Sequence, residues 1–370
     1  MFITCRLVVL ILGISLGLQA QVLDLDIESM RRLAERGDAD AQYMLGLRQI
    51  AGQDIAKNPT EGIAWLERAA KAKHLRAQFM LGSFYEDGVG VKRDLAKAVE
   101  WYRRAADAGL APAQFAMAAA YELGIGVAKD EKQAVVWLKL AAEQNNPQAQ
   151  TALAMKYETG RGGLKADPVR AAQLYLEAAN QDWVQAMSRL AHLYYTGQGV
   201  PLDYRRAGAW YQRASRSEDP WASNNLAWFL ATCPDHSLHD PAKASEFANR
   251  ALRLMDDAGE PESYEMYDTK AACLARQGDF LAALLWQKKA LELMGQDKDL
   301  PEQEQETLKA EFLQRLRLYQ LQTPYTDPSS PAKQPGPALP ADRILQDEPL
   351  RGGPRQSPKK KANAPQKGFA

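Results

Sequence analysis

Small and apolar residues recur along this chain at helical spacing, and the recurrence itself repeats. Ala77, Leu81 and Tyr85 stand four apart and share one face of an amphipathic helix. Gly88-Val89-Gly90-Val91 breaks that helix, because glycine adopts the positive-φ backbone of a tight turn. Asp94 then fits the N-cap of a second helix, whose inward face is Trp101, Ala105 and Ala106. The series returns 36 residues on as Ala113, Ala118, Tyr121, Gly124, Gly126, Val127, Asp130, Ala134, Trp137, Ala141 and Ala142. A period of this length marks a solenoid, in which a unit unable to bury its own apolar face stacks on copies of itself. No stretch alternates polar and apolar residues over a useful strand length. The pattern predicts an all-α chain.

The repeats run at about 38–74, 75–110, 111–146, 147–182 and 183–218. The first keeps Ala41, Leu45, Gly46, Gly52, Trp65, Ala69 and Ala70 but lacks the full glycine turn. The fourth carries one extra residue near Gly163 and has Leu174 where others have Trp. The fifth restores Ala186, Tyr194, Gly197, Gly199, Val200, Asp203, Ala207, Trp210 and Ala214. One position (Gly46, Gly82, Ala118, Ala154, Ala191, Ala227) is always small, which predicts close approach of a neighbouring helix. Asn58, Asp94, Asp130, Asp167 and Asp203 are predicted N-caps, with Pro59 and Pro168 at first helical positions that need no donor. Residues 21–37 read as a polar start and a short capping helix (Ile27, Met30, Leu33, Ala34).

Residues 77–109 follow Ala-x3-Leu-Gly-x2-Tyr-x2-Gly-x-Gly-Val-x2-Asp-x2-Lys-Ala-x2-Trp-Tyr, then Arg104-Ala-Ala and Gly109. This resembles the Sel1-like repeat family, with Arg104 in place of the family's last Lys. The likeness covers about 180 residues. It implies an α/α right-handed superhelical solenoid that serves as a scaffold for protein–protein interaction. Residues 221–294 are similar instead to tetratricopeptide-type repeats. Asn224 to Ala231 and Asp268 to Ala272 are their first helices, and Ala244 to Leu254 and Phe280 to Leu293 the partners. Residues 301–322, with Leu308, Phe312, Leu316 and Tyr319, make a closing helix.

Net charge is zero, which removes any whole-chain argument for a nucleic-acid partner. From Thr323 the composition turns rich in Pro, Gly, Ser, Lys and Gln, so residues 323–370 are expected to be disordered. That tail holds eight basic and four acidic residues, and Lys359-Lys360-Lys361 offers weak contact with an anionic envelope surface or simply a solubilising end. Residues 1–20 read as an export signal: Arg6, an apolar run from Leu7 to Leu18, and Ala20 at the cleavage position. The expected location is periplasmic, with an uncleaved anchor as the alternative because Leu18 is bulky for its place. Cys233 and Cys273 then remain. Their offset along adjacent helices is about 7.5 Å on top of the helix spacing, beyond the reach of a disulfide, so both are expected unpaired.

Chemical motifs are sparse. The Gly-x-Gly pairs lie between helices and recur, unlike a phosphate loop. Cys233, His236 and His239 offer three soft ligands on a Pro-containing loop, short of a structural zinc set. Ser330-x-x-Lys333 and Ser357-x-x-Lys360 match a serine–lysine pair of penicillin-recognising enzymes, and the resemblance brings β-lactam binding with it. The further motifs of that chemistry, Ser-Asp-Asn and Lys-Thr-Gly, do not occur in this chain. The chain is therefore read as no enzyme, without cofactor or metal.

Binding candidates come from the tetratricopeptide-like geometry that the resemblance implies. Side chains two before the Leu position, or one after the small one, point into a concave face lined by first helices. That register gives Tyr43, Phe79, Phe115, Met155, Ser188, His192 and Trp228. One step past the Tyr lie Glu86, Glu122 and Glu158, with Tyr195 breaking the series. Aromatics on an open surface suit a protein or peptide partner, and the acidic series would select basic or amide groups. The expected molecule is a monomeric interaction scaffold of a bacterial cell envelope. The alternatives are a cell-wall enzyme or binder of β-lactam or peptidoglycan, and a structural spacer.

Overall fold

Helix starts in this chain follow the residues that can satisfy free backbone N–H groups. Asn58 accepts from the Glu61 N–H at 3.2 Å and Asp94 from Lys97 at 3.1 Å. Asp130 accepts from Lys132 and Gln133 at 2.9 and 3.1 Å. Asp167 and Asp203 accept from Arg170 and Arg206, both at 2.9 Å. The predicted second-helix caps are thus all in place, and Pro59 and Pro168 open their helices.

The structure, a computed structural model, describes residues 26–328 and Leu339. The export segment, residues 21–25 and most of the Pro/Lys-rich tail lie outside the described residues. Within the described residues there are sixteen α-helices, one 3-10 turn at His236–Leu238 and no strand. The chain divides into two compact units, Met1–Ala178 and Ala179–Ala370. In the first, α1 (Ile27–Glu35) precedes the pairs α2 (Ala39–Ala51) and α3 (Pro59–Lys71), α4 (Leu75–Asp87) and α5 (Leu95–Asp107), and α6 (Ala111–Leu123) and α7 (Glu131–Glu143). Then come α8 (Pro147–Thr159) and α9 (Pro168–Ala179), whose last residue is the first of unit 2. The second unit holds α10 (Val184–Thr196) and α11 (Tyr204–Ala214), α12 (Pro220–Thr232) and α13 (Pro241–Ala258), α14 (Tyr264–Gln277) and α15 (Phe280–Gln296), and a closing α16 (Glu302–Gln320).

Each repeat closes by the same bond. The cap residue's N–H donates to the carbonyl of the Tyr position, as in Asp94 to Tyr85 (2.8 Å), Asp130 to Tyr121 (2.9 Å), Asp167 to Tyr157 (2.8 Å) and Asp203 to Tyr194 (2.9 Å). The two helices of a pair then pack along the small position. A Cβ at Gly82 would stand 2.5 Å from the Tyr102 ring, so only glycine admits that ring. The second glycine of each turn works between repeats. Gly126 has φ +69°, and a Cβ there would stand 2.3 Å from the Leu95 carbonyl oxygen at the start of α5. Both demands, positive φ and close backbone approach, select glycine.

Burial follows the repeat. Leu45, Leu66, Leu81 and Met117 in unit 1, and Tyr194, Trp210 and Phe229 in unit 2, are at most 1% exposed. Full burial of one such side chain stabilises by about 1.5–3 kcal/mol. Cys233 and Cys273 are unpaired and buried, and burial pushes both thiols up to about 12. No described helix is long and apolar enough to cross a membrane.

Candidate functional site

First helices bring the proposed binding side chains to one register, but the structure uses them unequally. Tyr43 on α2 is 4% exposed and its ring packs at a tilt on His74, centroids 4.6 Å apart, so it belongs to the core and offers no face to a partner. Phe79 on α4 is half-buried, its ring 5.6 Å from that of Tyr102. Phe115 on α6 is half-buried, and Met155 on α8 is 43% exposed. In unit 2, Ser188 is half-buried and His192 exposed on α10.

The acidic series turns out to be occupied from within. Glu86 accepts from the Tyr102 hydroxyl at 2.7 Å and Glu158 from the Tyr175 hydroxyl at 2.9 Å. Burial is the main cause that pushes the Tyr102 hydroxyl well up, so it stays a donor. Repeat three has Leu138 where those repeats have Tyr, and there Glu122 takes Lys156 of the next repeat instead. Lys156, itself buried, also reaches Glu131 at 3.5 Å, and Arg161 bonds Glu131 at 2.8 Å. These glutamates join helices first. The signal was present in the sequence as Tyr102 and Tyr175, on the second helix of the same pairs as Glu86 and Glu158.

A second ladder, legible in the sequence, lies outside the candidate binding residues. Gln42, Gln78, Gln114 and Gln150 each follow the first Ala of a repeat, and all are buried. Their amides donate to the carbonyls of Ala34, Ala70, Ala106 and Ala142 at 2.9, 3.1, 3.3 and 3.5 Å. Each bond ties a first helix to the end of the helix before it.

In unit 2 the expectation of disorder from Thr323 fails for its first six residues. Residues 323–328 lie against the ends of α10, α12 and α14, over two of the predicted binding side chains. Trp228, half-buried, has the Tyr325 ring 5.8 Å away, and the Arg315 guanidinium stands 5.2 Å from that same ring. Tyr195, 6% exposed, donates its hydroxyl to Asp327 at 3.0 Å. The Asp327 N–H donates to the Thr232 carbonyl at 2.8 Å. Arg276 donates through Nη2 to the Tyr325 carbonyl and, at 3.0 Å, to the Thr326 hydroxyl, while its Nε holds the Ala231 carbonyl at 2.6 Å. Arg315 is itself placed by Asp268, whose Oδ1 accepts from Arg315 Nε at 2.8 Å and from Gln287 at 2.7 Å. Burial alone would lower the Arg315 guanidinium, but Asp268 outweighs it and holds the charge in place.

His239 bonds the Cys233 carbonyl through Nε2 at 2.6 Å and stacks on His236 at 5.0 Å. Among the described residues no group of three or more His, Cys, Asp or Glu side chains is placed to hold a metal ion. The serine–lysine pairs at 330–333 and 357–360 lie outside the described residues.

From α2 to α11, helices of 11–13 residues paired by one backbone bond and one set of caps define an α/α repeat array. Within that class, residues 39–74, 75–110, 111–146, 147–183 and 184–219 are five Sel1 repeats, each matched by the model of the Sel1 repeat family. Among solved structures it is similar to a protective antigen present in uropathogenic Escherichia coli strains, which displays an SLR fold. Identity is 27% and the TM-score 0.62, over 78% of this chain and 63% of that one. It is also similar to a Sel1 repeat protein from Oxalobacter formigenes, at 29% identity and TM-score 0.56, over 63% of this chain and 96% of that one. The chain thus spans less than two thirds of the Escherichia coli protein's length. Comparison with curated proteins gives no match.

Proposed function

We propose that this chain is a protein-interaction scaffold of a bacterial cell envelope, engaging a partner protein through the exposed edge of its first helices rather than catalysing a reaction. The observation that carries this reading is the stripe on α4, α6 and α8. Phe79, Phe115 and Met155 recur at neighbouring positions of one face, and each keeps part of its side chain open. Aromatic side chains spaced along a repeat surface are suited to anchor a partner segment. The envelope location rests on Arg6, the apolar run to Leu18 and Ala20. The Escherichia coli relative being a protective antigen agrees with an exported place.

The test is capture from intact envelopes by the purified mature chain, wild type against a Phe79→Ala, Phe115→Ala variant. Loss of both rings should weaken capture on the order of tenfold or more while circular dichroism stays unchanged. Equal capture by a folded double variant would remove this stripe as the binding edge.

A further inference from the structure

Residues 323–328, just past α16, make contacts of a kind that reads a peptide. Backbone is gripped first: Thr232 O takes the Asp327 N–H at 2.8 Å, and Arg276 bridges from Ala231 to the Tyr325 carbonyl and the Thr326 hydroxyl. Side chains two apart are then read separately. The Tyr325 ring packs beside both Trp228 and Arg315, which also touch each other at 5.4 Å, and the Asp327 carboxylate meets the Tyr195 hydroxyl. Backbone bonds supply sequence-independent hold, whereas the ring site and the hydroxyl select an aromatic and an acid. Tyr325 and Asp327 stay only half-buried, so the segment rests on unit 2 without being part of its core.

We propose that the face of unit 2 formed by α10, α12 and α14 is an exchangeable peptide slot. Tyr325 to Asp327 hold it in cis, and an extended protein segment with an aromatic side chain two residues before a carboxylate takes it in trans. This deepens the scaffold reading and rests on it, with a site separate from the Phe79 and Phe115 stripe. Tyr325 lies only five residues past Gln320, the end of α16, so the cis segment competes at an effective concentration on the order of millimolar. A trans segment binds only when it outcompetes that tether, which makes the slot closed by default.

The probe is a fluorescent peptide of residues 322–329, Gln-Thr-Pro-Tyr-Thr-Asp-Pro-Ser, added to the full mature chain and followed by anisotropy. A Tyr325→Ala, Asp327→Ala chain, its slot opened, should bind the peptide about tenfold or more tighter than wild type, since the tethered competitor is gone. A peptide with Ala in place of Tyr should not bind. Absence of binding to a folded opened chain, or equal affinity for both chains, would overturn the slot. Should the double variant unfold, hydrogen exchange on the wild-type chain decides. Millimolar peptide should accelerate exchange of the Asp327 amide, and unchanged protection would overturn the proposal. Envelope capture is scored apart: peptide exchange without any captured protein sinks the scaffold reading and leaves the slot standing.

Discussion

At the scale of single residues, His74 carries two bonds that fix its protonation. Its Nδ1 accepts from the Ala77 N–H at 3.0 Å as the N-cap of α4, and its Nε2 faces Asp40 at 3.0 Å. An imidazolium has no lone pair for the first bond. Burial against Tyr43 pulls the imidazole below its ordinary 6.5, Arg76 adds to this, and Asp40 opposes both without reversing the sign. The unfolded chain therefore takes up the proton first, and stability falls as pH drops through and below that value. The expected result is a Tm that declines between pH 7.5 and 5 in wild type and declines less in His74→Asn, which keeps a cap without a titrating ring. His74→Ala should lose about 1 kcal/mol at pH 7.5 in a denaturant titration. Arg315 makes the opposite kind of demand. It and Asp268 are 5% and 7% exposed, so Arg315→Ala would leave a buried carboxylate without its partner and destabilise by about 3–5 kcal/mol. Replacing both, with Asp268→Asn and Arg315→Met, should recover much of that loss. Neither residue was legible as a pair. Arg315 sits between Phe312 and Tyr319 on what reads as an apolar stripe, and sequence spacing gives no reason to turn a charge inward.

At the scale of the element, turn glycines separate into those that serve only their own backbone and those that also admit a neighbour. Gly109 has φ +92° and open space around a built Cβ, whereas Gly126 has φ +69° and the Leu95 carbonyl oxygen at 2.3 Å. Gly109→Ala should cost about 1–2 kcal/mol, the price of a left-handed L-residue. Gly126→Ala must also push α5 away, and should cost upwards of about 3 kcal/mol in the same titration. A result with the two equal would mean the junction between repeats yields freely. Gln78 tests the junction by another route. Ala in its place removes the bond to the Ala70 carbonyl, which keeps the Lys73 N–H at 3.0 Å, so the loss should be near 1 kcal/mol. Caps and turns were readable because Asp and Gly do local work that sequence position alone reveals. The glutamate series was less so, because its partner depends on whether Tyr or Leu stands on the second helix of the same pair. Tyr102 and Tyr175 draw Glu86 and Glu158 inward, and Leu138 leaves Glu122 to Lys156.

At the scale of the whole molecule, the repeat period foretold helix pairs but not which surfaces the chain keeps for itself. The period counts residues that pack, and residues 323–328 belong to no repeat. Only Tyr325, an aromatic in a stretch otherwise poor in apolar side chains, marked them out. What the period does imply is locality. Inside each unit, packed helices are neighbours or near neighbours in chain order, so stability should be a sum of local terms rather than one shared core. Leu81→Ala puts this to the test, since Leu81 is fully buried on α4 and its truncation should cost about 2–5 kcal/mol. In a chain with one cooperative core, that loss would raise amide exchange everywhere by the same factor. In a chain of local terms, exchange measured by mass spectrometry should rise in α3 to α6. It should stay at wild-type rates in α14 to α16, where Asp268, Gln287 and Arg315 close the array. Uniform acceleration through α16 would show that the repeats unfold as one body, and the sum of local terms would have to be abandoned.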